Sequence, residues 1–430
     1  MTERATSISR RTMLQGMTLA GTAAALSACA DRSEDKNTIT FLNWEKTEGT
    51  PLGQAITSFE KKTGKKVDVQ PAPVNDYDTK MRTALASGAA PDIVRINDDY
   101  VRGFSDTGSL LDLNKYIRRD KVNIADYAGP VFNFPKQLDG KHTAWVIGYE
   151  PRLIYYNVDW FKSANVPLPP TTWTSDGWTW DDFLATAKKL NKGAGKWACL
   201  VYLDTGVEQT FSINNGDPTG IYSADGKTFT LDSPKGVEAI QWASDLTNKY
   251  QVQPPWSELQ QLNTDTSFFA QQKVAMLFDT FGVTPYFREN IKNFTWDVAP
   301  PPGRKNQRTE SSVVVFAVPK SARNPDLAWE LLKYLSGPEG GTILAQGRQY
   351  TPINNAAAKA VTADHSSPAH LDLFAAAGAH LTQPNQTSNT LGARDIYRPA
   401  LDNVYLGKES AKSVLTSVRP QVQKALTESS

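Results

Sequence analysis

Three features of the sequence predict an α/β protein of two lobes. At 430 residues the chain exceeds what one ordinary core supports and suffices for two, each with a buried sheet. Its first folded stretch runs strand, helix, strand, helix, strand, an order that implies a parallel sheet with right-handed crossovers. From Trp145 to Asn157 the chain reads as strand material, Ala-Trp-Val-Ile-Gly-Tyr then Leu-Ile-Tyr-Tyr-Asn, able to cross between lobes and begin the second.

The elements follow in order. Ile39 to Leu42 is an apolar strand ending in Asn43-Trp44-Glu45. Leu52, Ala55, Ile56 and Phe59 then recur at helical spacing until Gly64 stops the helix. Val67 and Val69 alternate as a second strand. Asp76 is placed to cap a helix with Tyr77, Met81, Ala84 and Leu85 on one face, and a third strand follows Asp92. Thr179 and Asp182 approximate a capping box, with Trp180, Phe183, Leu184 and Ala187 as the apolar face behind it. Here Trp180 reads as packing. Ser233-Pro234 opens a helix that turns Val237, Ile240 and Ala243 inward. Val274 to Phe278 is a strand and Asp279 to Gly282 a loop. Ser312 to Val318 is a β-branched strand, and Asn324-Pro325 opens a helix carrying Ala328, Leu331, Leu332 and Leu335. Pro384 to Gly392 reads as a loop, with helical material from about Ile396 to Leu426.

The first 29 residues read as an address. Arg10-Arg11 precedes a stretch from Thr12 to Ala28 without charge, too short and too weakly apolar for a comfortable membrane span. Leu26-Ser27-Ala28-Cys29 resembles a bacterial lipobox, and the paired arginines resemble a twin-arginine export signal. Residues 1–28 are therefore expected to be a signal peptide, Cys29 the lipidated residue and residues 29–37 a tether. The expected location is the outer face of the cytoplasmic membrane, periplasmic or cell-surface. Cys199 is the one other cysteine, so no disulfide is expected, and its apolar neighbours read as core.

Charge excludes one class of partner. With 46 basic and 45 acidic residues there is no electrostatic case for nucleic acid. His365, His370 and His380 lie near one another without the spacing of a metal site, and neither a metal nor a cofactor is expected. In parallel sheets ligands bind beyond the carboxyl ends of the strands, which brings Trp44-Glu45 and Asp98-Asp99-Tyr100 to one rim. Rings beside carboxylates suit a sugar, whose C–H face stacks while its hydroxyls need acceptors. A glycoside hydrolase using Asp98, Asp99 and Glu258 is the enzymatic alternative, but adjacent carboxylates are poorly suited to flanking one bond. No enzyme activity is expected. A peptide, polyamine or metal chelate is the alternative cargo.

Seven local patterns occur in order: Gly88-Ala-Ala-Pro-Asp-Ile-Val, Thr107-Gly-Ser-Leu-Leu-Asp-Leu, Leu153-Ile-Tyr-Tyr-Asn-Val-Asp-Trp-Phe, Trp178-Thr-Trp-Asp-Asp-Phe, Phe268-Phe-Ala-Gln-Gln-Lys-Val-Ala-Met, Ala328-Trp-Glu-Leu-Leu-Lys-Tyr-Leu and Gly347-Arg-Gln-Tyr-Thr-Pro-Ile-Asn. Together they resemble the bacterial extracellular solute-binding proteins of the maltose-binding type, family 1 lipoproteins that serve sugar ABC importers. The resemblance implies a periplasmic-binding-protein-like fold with two α/β lobes joined by a hinge of crossing strands. It places residues 38–148 and 300–349 in the first lobe and 149–299 and 350–430 in the second. A carbohydrate would be held between them by a monomer that hands it to permease subunits. Asp99 corresponds to a carboxylate that contacts sugar hydroxyls in that family, and Tyr100 stands where maltose-binding proteins have a basic residue. Phe281 takes the place of a stacking Trp. Tyr149, Asp204, Glu208 and Arg394 complete the implied ligand-binding set with Trp44 and Glu45.

Overall fold

Ile39, Phe41 and Leu42 of strand β1 (Thr38–Asn43) are buried, the start of the first hydrophobic core. The computed structural model describes residues 37–428 apart from 45, 138, 194, 202–203, 260–263, 349 and 362–366. The expected export signal, the expected lipidation site at Cys29, Glu45 and His365 lie outside these residues.

Helix Pro51–Thr63 follows β1, capped by the Thr50 hydroxyl and ended by Gly64 in the left-handed region, with Leu52, Ala55, Ile56 and Phe59 buried as their spacing requires. After β2 (Lys66–Pro71), helix Val74–Ser87 begins behind Pro73, whose side chain makes no capping bond. Asp76 is thus a first-turn residue, not the cap expected of it; there a carboxylate still complements the helix dipole. Strand β3 (Ile93–Ile96) pairs parallel with β1, giving the predicted β-α-β-α-β unit.

Strand β4 (Trp145–Asn157) is the spine of the molecule. Trp145 to Tyr149 pack in the first core and Leu153 to Tyr156 in a second, so the strand changes cores at Glu150-Pro151-Arg152. Its second half pairs antiparallel with β6 (Val274–Thr280) and β7 (Trp296–Ala299), and β5 (Trp197–Val201) pairs parallel with β6. Strand β8 (Thr309–Ala317) bridges β3 and the first half of β4, both antiparallel. Short strands β9 (Thr351–Pro352) and β10 (Leu381–Thr382) add to β4 and β8. The path is β2-β1-β3-β8-β4-β6-β5, one sheet threading both cores. That continuity joins Ile39–Ser430 into one unit by backbone contact.

Where β9 crosses β4, only glycine fits: a Cβ on Gly148 would stand 2.6 Å from the Cβ of Tyr350. Tyr350, Ile353 and Leu381 accordingly pack in the first core. Trp145 anchors that core, its ring edge-on to Trp329 at 4.7 Å and its indole N–H donating to Ser336 at 2.8 Å. In the second core Tyr155 is surrounded by Phe269, Phe287, Trp296 and Phe374. Cys199 is fully buried there, and burial pushes its thiol pKa up, which leaves an unreactive core residue. The Thr179–Asp182 capping box is present, and Trp180 packs against Phe211 and Trp242 as expected.

Two boundaries differ from the sequence reading. Asp279 and Thr280 continue β6, with Phe281–Val283 a single tight helical turn after it. Helix Thr390–Tyr405 begins inside the stretch expected as loop and is followed by Ala411–Thr427.

Candidate functional site

The two crossing strands bring their polar residues to one place. Arg152 on β4 sits where Pro151 interrupts the apolar pattern, and Glu310 lies on β8 just before its valine run. The Arg152 guanidinium donates through Nε to Glu310 at 2.9 Å and pairs through Nη2 with Asp204 at 2.8 Å. Asp204 is at the same time the N-cap of helix Thr205–Asn214, accepting the Val207 N–H at 3.0 Å. Residue 206 must be glycine for this contact, because a Cβ there would overlap both the Arg152 Nε and a Glu310 carboxylate oxygen.

Charge is concentrated around this triad. Burial pushes Glu310 up to about 7 although Arg152 opposes the shift. Burial, then Asp265, likewise holds Asp279 at about 7, and its Oδ2 is enclosed without a hydrogen-bond partner. For Arg152 burial disfavours the charge, but Asp204, Glu310 and Asp279 outweigh it and raise the pKa. Glu208, fully buried one turn into the helix, is raised by burial and held by the Arg398 guanidinium and by the Tyr405 hydroxyl, which donates at 3.3 Å.

From the first core, the tight turn Asp98–Tyr100 after β3 enters the same cleft. Asp98 accepts the Val313 N–H of β8 at 2.9 Å and is pushed up to about 6 by burial and by Asp99. Asp99 pairs with Arg394, from helix Thr390–Tyr405 on the second core. Beside this pair Tyr222, Pro384, Gln386 and Thr390 line a cavity of about 20 Å³.

A family model described as bacterial extracellular solute-binding protein matches residues 54–371. The chain belongs to that family. This solute-binding protein is 24% identical over 404 residues to a binding protein of Brucella abortus, covering 91% of its own length and 93% of the relative's. It is 22% identical to the erythritol/L-threitol-binding protein of Mycolicibacterium smegmatis, with 97% of each chain covered. Its fold matches a substrate-binding protein of Listeria monocytogenes solved in complex with cycloalternan at a TM-score of 0.79, with 24% identity, covering 92% of this chain and all of that one. The sugar-binding protein MalE of Xanthomonas citri matches at 0.76, with 20% identity, covering 90% and 97%. These are two-lobed solute-binding folds, and the solute-binding protein described here shares that architecture.

Of the residues expected to bind ligand, Asp99 and Arg394 meet across the cleft. Asp204 and Glu208 belong to the adjoining network, each already held by an arginine. Phe281 and Tyr149 differ from expectation. Phe281 is fully buried against Phe374 at 4.5 Å, because the turn after β6 closes over the second core, so its ring offers no platform in this conformation. Tyr149 is 1% exposed and donates its hydroxyl to the Ala375 carbonyl at 3.3 Å. Trp44 is half-buried, edge-on to Tyr77, with the Arg95 guanidinium 3.7 Å over one face. The Tyr100 ring is likewise covered by Arg82 at 5.1 Å. His370 pairs with Asp297 and His380 stacks on Trp173, so the two histidines serve different contacts.

Sequence reading passed over Arg152, Glu310, Asp279, Arg398 and Tyr222 as site residues. A charged residue interrupting an apolar strand was the signal for Arg152 and Glu310. None marked Tyr222.

Proposed function

We propose that this protein captures a carbohydrate between its lobes and delivers it to the membrane subunits of an ABC importer, held at the membrane by a lipid on Cys29. The observation that carries the reading is the Asp99–Arg394 pair, in which a carboxylate packed with the first core and a guanidinium packed with the second line one small cavity. Such groups bind sugar hydroxyls through directional, charge-assisted hydrogen bonds. Relatives described as binding erythritol/L-threitol and cycloalternan support it. In this reading the first lobe comprises the elements that share the first core, β1 to β3 with the first half of β4, β8, β9 and helix Pro325–Ser336, and the second comprises those that share the second core. Asp99 and Arg394 open to admit ligand and close on it.

A cationic solute is the second reading. Among the described residues Asp98, Asp99, Asp204, Glu208, Asp279 and Glu310 outnumber Arg152, Arg394 and Arg398 in this region. Titration calorimetry with mono- and oligosaccharides, spermidine and short peptides, followed by small-angle scattering with the best binder, separates the two. A sugar that binds at micromolar affinity and makes the particle more compact is the expected result. Binding of spermidine alone would assign the cleft to cationic solutes instead.

A further inference from the structure

The small cavity at Asp99 and Arg394 does not end there. Pro384 and Gln386 line it on one side and on the other line a second, larger cavity of about 330 Å³. The second cavity runs between the loop after the short helix Gly129–Phe132 and the segment 383–386, which lies between β10 and helix Thr390–Tyr405.

Their sizes decide what each can hold. About 20 Å³ is room for roughly one water, so no sugar ring enters the inner space while Asp99 and Arg394 are paired. About 330 Å³ is within the range of small-molecule sites, which begins at roughly 300 Å³. The outer groove therefore stands open in the same conformation that closes the inner one.

Its walls are preset. Arg102 donates through Nε to the Gln386 carbonyl at 3.0 Å and through Nη1 to the Gln137 side-chain oxygen at 2.8 Å, tying the two walls together. Phe134, half-buried, presents apolar surface, while Asn133 and Lys136 are exposed. The chemistry differs from that of the inner cavity: among the described residues the charged groups lining the groove are the donors Arg102 and Lys136, with no carboxylate beside them in the lining. Hydroxyl oxygens accept from such groups, and a ring face packs on Phe134.

We propose that the ligand is an oligosaccharide of at least two units, with its inner unit displacing the Asp99–Arg394 contact and its outer unit resting in the groove between Asn133, Phe134, Lys136 and Gln386. This rests on the carbohydrate reading above and adds a length requirement to it. A single sugar would satisfy the acceptors of the inner cavity and leave the donors of the groove to water.

The test is calorimetry on the mature chain with three homologous series: glucose, maltose and maltotriose; glucose, cellobiose and cellotriose; xylose, xylobiose and xylotriose. Within the series that binds, the disaccharide is expected to bind at least tenfold tighter than its monosaccharide. Asn133→Trp, which fills the groove from an exposed position, is expected to cut that ratio at least fivefold, and Lys136→Ala to cut it about threefold; circular dichroism verifies that both variants are folded. A monosaccharide binding as tightly as its oligomers, or both substitutions lowering monosaccharide and disaccharide alike, would overturn the length requirement while leaving the carbohydrate reading intact. If no member of any series binds, the carbohydrate reading itself falls, and this proposal with it.

Discussion

Asp99 and Arg394, separated by 295 positions in sequence, form an ion pair that ties the turn after β3 to the penultimate helix across the cleft. Both side chains keep about a third of their surface in water, which limits the strength of the pair to about 1 kcal/mol. Arg394→Ala is therefore expected to raise the open fraction of the ligand-free protein about fivefold. Small-angle scattering should record a larger radius of gyration without ligand. An unchanged profile would mean that the pair does not help hold the lobes together.

Gly206 tests the network at the crossing strands. Gly206→Ala pushes a methyl group into Arg152 and Glu310, and parting a buried ion pair costs about 3 to 5 kcal/mol. An unfolding free energy lower by that amount, read from a reduced urea midpoint, is expected, with little change in the far-ultraviolet spectrum. Arg152→Met serves as a control, since it removes the cation and leaves Glu310, Asp204 and Asp279 without it. It should destabilise at least as much, and a wild-type midpoint in either variant would contradict the arrangement.

The dependence on pH has a definite sign. Asp98, Asp279 and Glu310 carry pKa values of about 6, 7 and 7 in the folded chain, against about 4 unfolded. The folded state thus binds more protons than the unfolded state between about pH 4 and 7, and stability falls as pH rises through that window. Asp120 acts oppositely: Arg119 and Lys333 hold its carboxyl well below the usual range, a contribution lost as the medium is acidified below about pH 4. The thermal unfolding midpoint should peak near pH 4 and be lower at pH 7.5 than at pH 5. A midpoint that climbs steadily from pH 5 to 8 would show that these carboxylates ionise freely.

The anchor is testable separately. Among the described residues no helix is long and apolar enough to cross a membrane. On the lipid-anchor proposal, Cys29→Ala is expected to move the protein from the membrane fraction to the soluble one. Intact-mass analysis of membrane-bound wild type should show a lipidated Cys29 at the mature N-terminus. An unmodified Cys29 there would refute lipid anchoring.

Local order was legible in the sequence because local chemistry causes it. The 3.6-residue spacing of Leu52, Ala55, Ile56 and Phe59, the Thr179–Asp182 capping box, and Gly64 and Gly88 at helix ends act over a few residues and need no partner from elsewhere. The resemblance of seven ordered motifs carried the family and the two-lobed fold. Exposure and pairing were decided only by tertiary structure. Phe281 and Tyr149 resemble rim residues when read along the chain, yet Phe374 and the 375–378 backbone cover them from about a hundred or more positions away. Arg152 and Glu310 are unremarkable apart; they become a site because antiparallel β4 and β8 place them side by side against the N-terminus of helix Thr205–Asn214. Whether a charge faces water or a buried partner depends on what the rest of the chain packs against it, and one-dimensional spacing does not contain that.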